Sequence, residues 1–431
     1  MATKSQIVIL GAGFGGLHAA ITIGKQLRRY KLDDKYEVIL VDRNDFQTYT
    51  PTLYEAATTS KETANYLDLK SIITIPVQTA IKGLPVNFIK GEITKLDLMN
   101  GDIHLAREDQ EEQIRYEYLL LALGAETNYF NIKGLKENSL PLKTFYDSIK
   151  IRDRVLELFA EKPHIKIVIG GGGSTGVELA GEIRQWLGEL KKELSPQCNA
   201  AVSIVDAGPR ILGPFSERIS RKATKRLTKL GVEIVNNSHI AKVQPQLATL
   251  EDGKEIPFDL LVWTGGVKSS SLMETMPLKT EPKGRVVVEN EMNCLPQTPD
   301  LKLYGKVYGI GDAICFMNPK TGKAMPGVAR AAISQATIAA KNIIGEILER
   351  ENKATRVKRY IFRPMDYPYV IPIGGKYAIA KIGPILISGF LGWFIKGLVE
   401  LNYLLSIMPL EQAIKTWFKG LRIFIKNDRL G

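Results

Sequence analysis

The sequence predicts an α/β chain in which one strand–turn–helix–strand unit occurs twice, the second copy inserted in the first, with a basic amphipathic helical region at the C-terminal end. Three observations carry that expectation. An apolar strand runs into a glycine triplet at residues 7–16, and the same pattern returns at 165–176. Beyond residue 356, cations interleave with apolar and aromatic residues.

In chain order, residues 7–10 read as a buried parallel strand. Gly11, Gly13 and Gly16 follow as G-x-G-x-x-G and open a helix over 17–27. Glycines at that spacing permit a tight turn, close approach of the backbone to a pyrophosphate, and close helix–strand packing. The helix N-terminus adds free N–H groups and partial positive charge. A strand over 36–41 ends at Asp42, placed to accept from a ribose hydroxyl pair; the loop 28–35 lengthens the usual spacing of roughly 20 residues. This is the pattern of a Rossmann-like dinucleotide-binding domain. Residues 44–57 read as a loop rich in Thr and Tyr, and 86–105 as short strands turning at Asn100-Gly101. A buried strand over 116–123 stops at Gly124, and a polar helix over 144–163 ends at Pro163.

The second copy has its strand at 165–169, its glycines at Gly171, Gly173 and Gly176, and a strand over 200–205 ending in Asp206. A repeat about 160 residues away means two similar domains, not a solenoid. Two dinucleotide sites in one chain imply electron transfer between two nucleotide cofactors. Asp206 favours a free ribose 2′-hydroxyl and so NADH, although nearby Arg210 leaves an opening for a 2′-phosphate. Residues 260–264 read as a strand ending in Gly265-Gly266. A short strand before Gly311-Asp312 returns to the first domain, where Asp312 either bonds a cofactor's polyol chain or caps the helix over 327–349. The expected division is 1–143 with 290–350, then 144–289, then 351–431.

The bulk figures agree. At 431 residues the chain exceeds one ordinary core, and 45% hydrophobic with 24% charged residues is globular. The net charge of +12 lies mostly in residues 356–431, where twelve Lys and Arg stand against four Asp and Glu. Such a stretch suits a membrane interface, with an amphipathic helix packed on its own domain or on a partner as the alternative. It lacks the groove pattern of nucleic-acid binders, so no nucleic-acid partner is expected. Cys198, Cys294 and Cys315 form no C-x-x-C or metal spacing, which fits a reducing compartment and no metal site. No signal peptide is legible, and no uncharged apolar run reaches the roughly 18 residues of a spanning helix.

These residues resemble the type II, non-proton-pumping NADH:quinone oxidoreductases of the two-dinucleotide-binding-domain flavoprotein superfamily. The likeness runs through residues 9–16, 41–46, 50–55, 171–178, 262–267 and 308–312, and the basic tail. It implies FAD held by Gly11, Gly13, Phe14, Gly16, Asp42, Arg43, Gly124 and Asp312. It implies NADH at Gly171, Gly173, Thr175, Gly176, Asp206 and Gly266. Glu178 would be the catalytic acid beside both rings; an acid in the first turn of a helix is also favoured by the helix dipole. The resemblance further implies a membrane quinone as acceptor and monotopic attachment through the tail to an anionic surface, on the cytoplasmic face of the cell membrane. A homodimer is implied as well. Where the family carries Ala-Gln-x-Ala-x-Gln beside the quinone, this chain has Ala329-Arg330-Ala331-Ala332-Ile333-Ser334 and then Gln335. The quinone-site candidates are therefore Arg330, Ser334, Gln335 and Lys376. A soluble flavoprotein reductase with another acceptor, or a non-catalytic NADH sensor, would keep both nucleotide sites. Dithiol and sulfide chemistry would need a reactive cysteine pair that the sequence does not place.

Overall fold

The structure, a computed structural model, describes residues 4–107, 110–193, 197–353 and 358–427; Arg356, Asp428 and Arg429 of the basic tail lie outside them. The chain divides into two compact units, one of residues 1–47, 75–126 and 268–367, the other of 48–74, 127–267 and 368–431.

The first unit is built on a five-stranded parallel sheet ordered Val307–Gly309, Tyr118–Leu121, Ser5–Leu10, Tyr36–Asp42, Val86–Lys90. Ile7 to Leu10 are fully buried at its centre, as an aliphatic run must be when helices cover both faces. Leu10 pairs with Val41 on one side and Leu121 on the other, so Gly11, Asp42 and Gly124 emerge at one carboxyl edge. Ligands bind at that edge in open parallel sheets. Phe14–Arg29, with Arg28 and Arg29 complementing the dipole in its last turn, packs on Ala329–Arg350. Val307–Gly309 pairs with Tyr118–Leu121 across a long chain excursion, so the first unit is discontinuous in the chain.

The second unit repeats the plan. Its sheet runs Leu140–Pro141, Leu260–Trp263, His164–Gly170, Asn199–Val205, Val232–Val235, with the glycine-bearing strand again central. Phe145–Glu161 begins with a capping box between Thr144 and Asp147. The C-terminal residues form an antiparallel sheet of Tyr369–Pro372, Ala378–Ile382 and Ile385–Gly389, then two helices, Phe390–Ile407 and Leu410–Asn427.

Those residues are not a separate module. Ile371, Ile373, Ile379, Ile423 and Phe424 share one buried cluster with Trp186, Leu179 and Ile204. Tyr49 stacks on Tyr403 with centroids 5.4 Å apart. Hence residues 48–74 and 368–431 group with the second unit, whereas the sequence expectation kept 1–143 in the first domain and set 351–431 apart. Phe390–Ile407 has 18 residues and a mean hydropathy of 1.3, long and apolar enough to cross a membrane by length and composition. It is not an uncharged run, because Lys396 and Glu400 lie within it on one face, four residues apart.

Candidate functional site

The two glycine turns are near copies at atomic detail. Gly11 and Gly171 both adopt left-handed backbone, with φ of 103° and 105°, which a side chain would strain. A Cβ on Gly16 would stand 1.8 Å from the Gly11 carbonyl oxygen, and one on Gly176 would stand 2.0 Å from that of Gly171. Gly13 and Gly173 differ: a Cβ there would meet no protein atom within 4 Å. Their glycines are not required by the protein's own packing. What they leave open is a cradle at a helix N-terminus, which fits the pyrophosphate of a dinucleotide at each turn.

The acid of each unit ties its turn in place. Asp42 Oδ2 accepts from the Ala12 N–H at 2.7 Å and Oδ1 from the Asn44 N–H at 2.8 Å. Asp206 Oδ2 accepts from the Gly172 N–H at 2.6 Å and Oδ1 from the Gly208 N–H at 2.8 Å. Sequence reading saw only the ribose partner of these acids; the fixed distance from turn to strand end was the available signal for the second role. Burial raises the Asp42 carboxyl from its ordinary range, opposed by the Ala12 and Asn44 N–H groups. Arg210 donates to the carbonyls of Phe215 at 2.8 Å and Gly213 at 2.9 Å, so its guanidinium braces its own loop.

The other candidates fall as follows. Phe14 and Thr175 lie in the first turns of their helices, half-buried, and Arg43 is exposed beside Asp42. Gly124 has a φ of 68° just past its strand. Gly266 faces the Phe130 ring, and its carbonyl accepts from the Asn128 N–H at 3.0 Å. Asp312 sits in a short 3-10 turn against Gly327; the residue capping Ala329–Arg350 is Val328, so Asp312 is not that helix's cap. On that helix Arg330 is exposed and Ser334 half-buried, while buried Gln335 accepts from the Gly311 N–H at 2.8 Å. Lys376, half-buried, belongs to the other unit, on a turn held by Glu182 and Arg226.

Glu178 needs one correction. The second glycine helix begins at Ser174, so Glu178 is in its second turn, beyond the reach of the dipole argument. Burial instead dominates and pushes its carboxyl up to about 8, with the Lys396 ammonium pulling the other way. Lys396 is the centre of a buried polar cluster that sequence reading missed. Its Nζ pairs with Glu55, whose side chain is fully buried, and lies 5.5 Å from the ring centroids of both Tyr54 and Phe424. The available signal was sparse charge: Lys396 and Glu400 are the charged residues of 382–410, and Glu55 stands between Tyr54 and two alanines.

The sequence profile of the pyridine nucleotide-disulphide oxidoreductases matches residues 5–336. The chain is 28% identical to the type II NADH:quinone oxidoreductase Ndh of Mycobacterium tuberculosis, over 96% of this chain and 87% of that one. It is 27% identical to the internal alternative NAD(P)H-ubiquinone oxidoreductase A1, mitochondrial, of Arabidopsis thaliana, over 91% and 79%. Among solved structures, that of NDH2 from Plasmodium falciparum in complex with NADH superposes with a TM-score of 0.82 at 18% identity, covering all of both chains. The sulfide:quinone oxidoreductase of Aquifex aeolicus superposes with a TM-score of 0.73 at 18% identity, over 98% of this chain and 96% of that one. These structural likenesses establish a shared fold.

Proposed function

The chain belongs to the pyridine nucleotide-disulphide oxidoreductase family, and from that premise we propose that it is a type II NADH:quinone oxidoreductase, carrying electrons from NADH through FAD to a quinone without pumping protons. The observation that carries the reading is the pair of open glycine cradles, each braced by its own acid. The names of the relatives supply the acceptor.

When bound, the flavin supplies the two-electron chemistry, taking a hydride from reduced nicotinamide and returning electrons to the quinone. The chain's own part is positional and protonic. The backbone N–H groups after Gly13 and Gly173 would hold the pyrophosphates. Asp206 presents its remaining lone pairs to a ribose, while Arg210, spent on its own loop, offers little to a 2′-phosphate; NADH is the donor of choice. Glu178, raised to about 8, holds a proton at neutral pH and is suited to general acid chemistry. Arg330 and Ser334 are the quinone contacts we favour on their helix, since Gln335 already serves Gly311.

The C-terminal helices support attachment to one face of a membrane. Phe390, Leu391, Phe394, Leu410 and Phe418 are each more than half exposed, flanked by Lys415, Lys419 and Arg422. Aromatic and aliphatic side chains at that depth with cations beside them suit an anionic interface, which we place on the cytoplasmic face. The implied homodimer belongs to the same proposal and is read from sedimentation in detergent. Steady-state NADH oxidation with a short-chain quinone tests the function. Turnover with NADH well above that with NADPH is expected; a protein that reduces no quinone contradicts the proposal.

A further inference from the structure

The second unit carries a cleft that the nucleotide chemistry does not use. It has a volume of about 350 Å³, near the lower end of the range for small-molecule sites, and lies between the helix Ser174–Glu193 and the starts of two strands. His164 and Asn199, the paired first residues of those strands, both line it. Gly171 begins its turn just past the far end of the same seven-residue strand, roughly 20 Å away at about 3.3 Å per residue. The cleft is therefore at the amino edge of the sheet, opposite the edge where the glycine turn lies. Its floor is apolar, from Ile165, Leu187 and Cys198, each buried. Its charges are of one sign: Lys166, Arg184 and Lys191 line it and, among the described residues that do so, no acid is present. Lys191 donates from Nζ to Asn199 Oδ1 at 2.8 Å, a partner that carries no charge. The Arg184 Nε–H is buried with no hydrogen-bond partner among the described residues, which is costly unless something accepts from it. Gly188 supplies an independent sign. It stands in the interior of a 20-residue helix, where glycine is less favourable than alanine, and a Cβ there would meet nothing within 4 Å among the described residues. Packing does not require that glycine; its missing side chain leaves the cleft open, as at Gly13 and Gly173.

We propose that this cleft binds a small phosphate-bearing anion, at a site separate from both nucleotide cradles and independent of the quinone reading. A phosphate group gathers nearly two negative charges on three oxygens, and three cations around one cleft suit that density better than a single carboxylate. The Arg184 guanidinium meets such a group with N–H donors in a fixed fork, its unpartnered Nε–H among them. Lys166 and Lys191 act as point charges, Lys166 from an exposed position and Lys191 from a half-buried one. The apolar floor and the space beside Gly188 take the organic part of a phosphate ester. No bond is made or broken, so occupancy is a plain binding equilibrium that weakens as salt screens the cations.

The test uses the flavin-loaded full chain saturated with NAD+, so that both cradles are filled. Inorganic phosphate, glucose 6-phosphate, glucose and succinate are titrated into it by calorimetry. Glucose 6-phosphate is expected to bind saturably at one equivalent per chain, succinate more weakly and glucose not at all. Tighter binding of glucose 6-phosphate than of inorganic phosphate assigns the cleft to an organic phosphate and equal affinities assign it to the free ion; both bear out the site. Arg184→Gln removes donors and Gly188→Leu fills the cleft. Each is expected to weaken binding at least about 10-fold, the loss of one charge-assisted contact, with flavin content and NAD+ affinity unchanged. Lys166→Gln, at an exposed position, carries the same direction of change should Gly188→Leu fail to fold. No saturable binding of either phosphate compound overturns the proposal. So does binding that these variants leave at wild-type strength, which marks general attraction to a basic surface, and so does succinate binding more tightly than both phosphates.

Discussion

Asp42 and Asp206 each use one oxygen to hold the residue after the first glycine and the other to close the turn two residues on. The same reasoning makes Gly13 informative, since its Cβ would touch nothing in the protein. Gly13→Val is expected to give a folded protein with wild-type melting that purifies with little flavin; absorbance per mole of chain reads this directly. Lys396→Met leaves the fully buried Glu55 without its cation, at a cost of about 3–5 kcal/mol in chemical denaturation, and adding Glu55→Leu is expected to restore most of it. Glu178 gives a pH signature. Its carboxyl is raised, so the folded state binds more protons than the unfolded state between the ordinary glutamate range and about 8. Stability therefore declines as pH rises through that window and levels off above it. Glu178→Gln is expected to flatten that decline and slow quinone turnover with flavin retained, measured by urea titration at pH 5 and pH 8 and by steady-state rates.

At the scale of elements, both glycine helices and the central strands were legible because their chemistry is local: an aliphatic run, a glycine triplet, an acid at the next strand end. The return of Val307–Gly309 to the first sheet was legible for the same reason, since a strand ending in Gly311-Asp312 matched the edge it joins. The C-terminal region was only half legible. Its cations and aromatics announced amphipathic helices, but nothing local announced that Ile379 and Phe424 enter the core of the second unit. Glu55 was hidden for a like reason, since its partner Lys396 is 341 positions away in the chain. One consequence is practical. Deleting everything beyond residue 382 would remove core residues along with the surface-binding face, so a point substitution is the cleaner probe. Phe394→Glu with Phe418→Glu, both exposed, is expected to shift the protein from sedimenting with anionic vesicles to the supernatant while flavin and melting stay unchanged. Phe424→Ala, in the core, is expected instead to cost about 3–5 kcal/mol in chemical denaturation.

For the whole molecule, the repeat is the organising fact. Two sheets that share the order of four strands and differ in the chain position of the fifth, an edge strand, each with a glycine turn at its carboxyl edge, make one chain a holder of two nucleotides. The three cysteines are buried, and burial raises their thiols, so the electrons of this family member have no ready dithiol to pass through. A flavin bound here would hand electrons directly to an acceptor, which in the proposed function is a quinone. Anaerobic mixing of the purified yellow protein with NADH, followed by a short-chain quinone, tests the central claim most directly. The flavin band is expected to bleach on the first addition and return on the second. A band that NADH leaves untouched, or one that bleaches and stays bleached when quinone is added, would contradict the account.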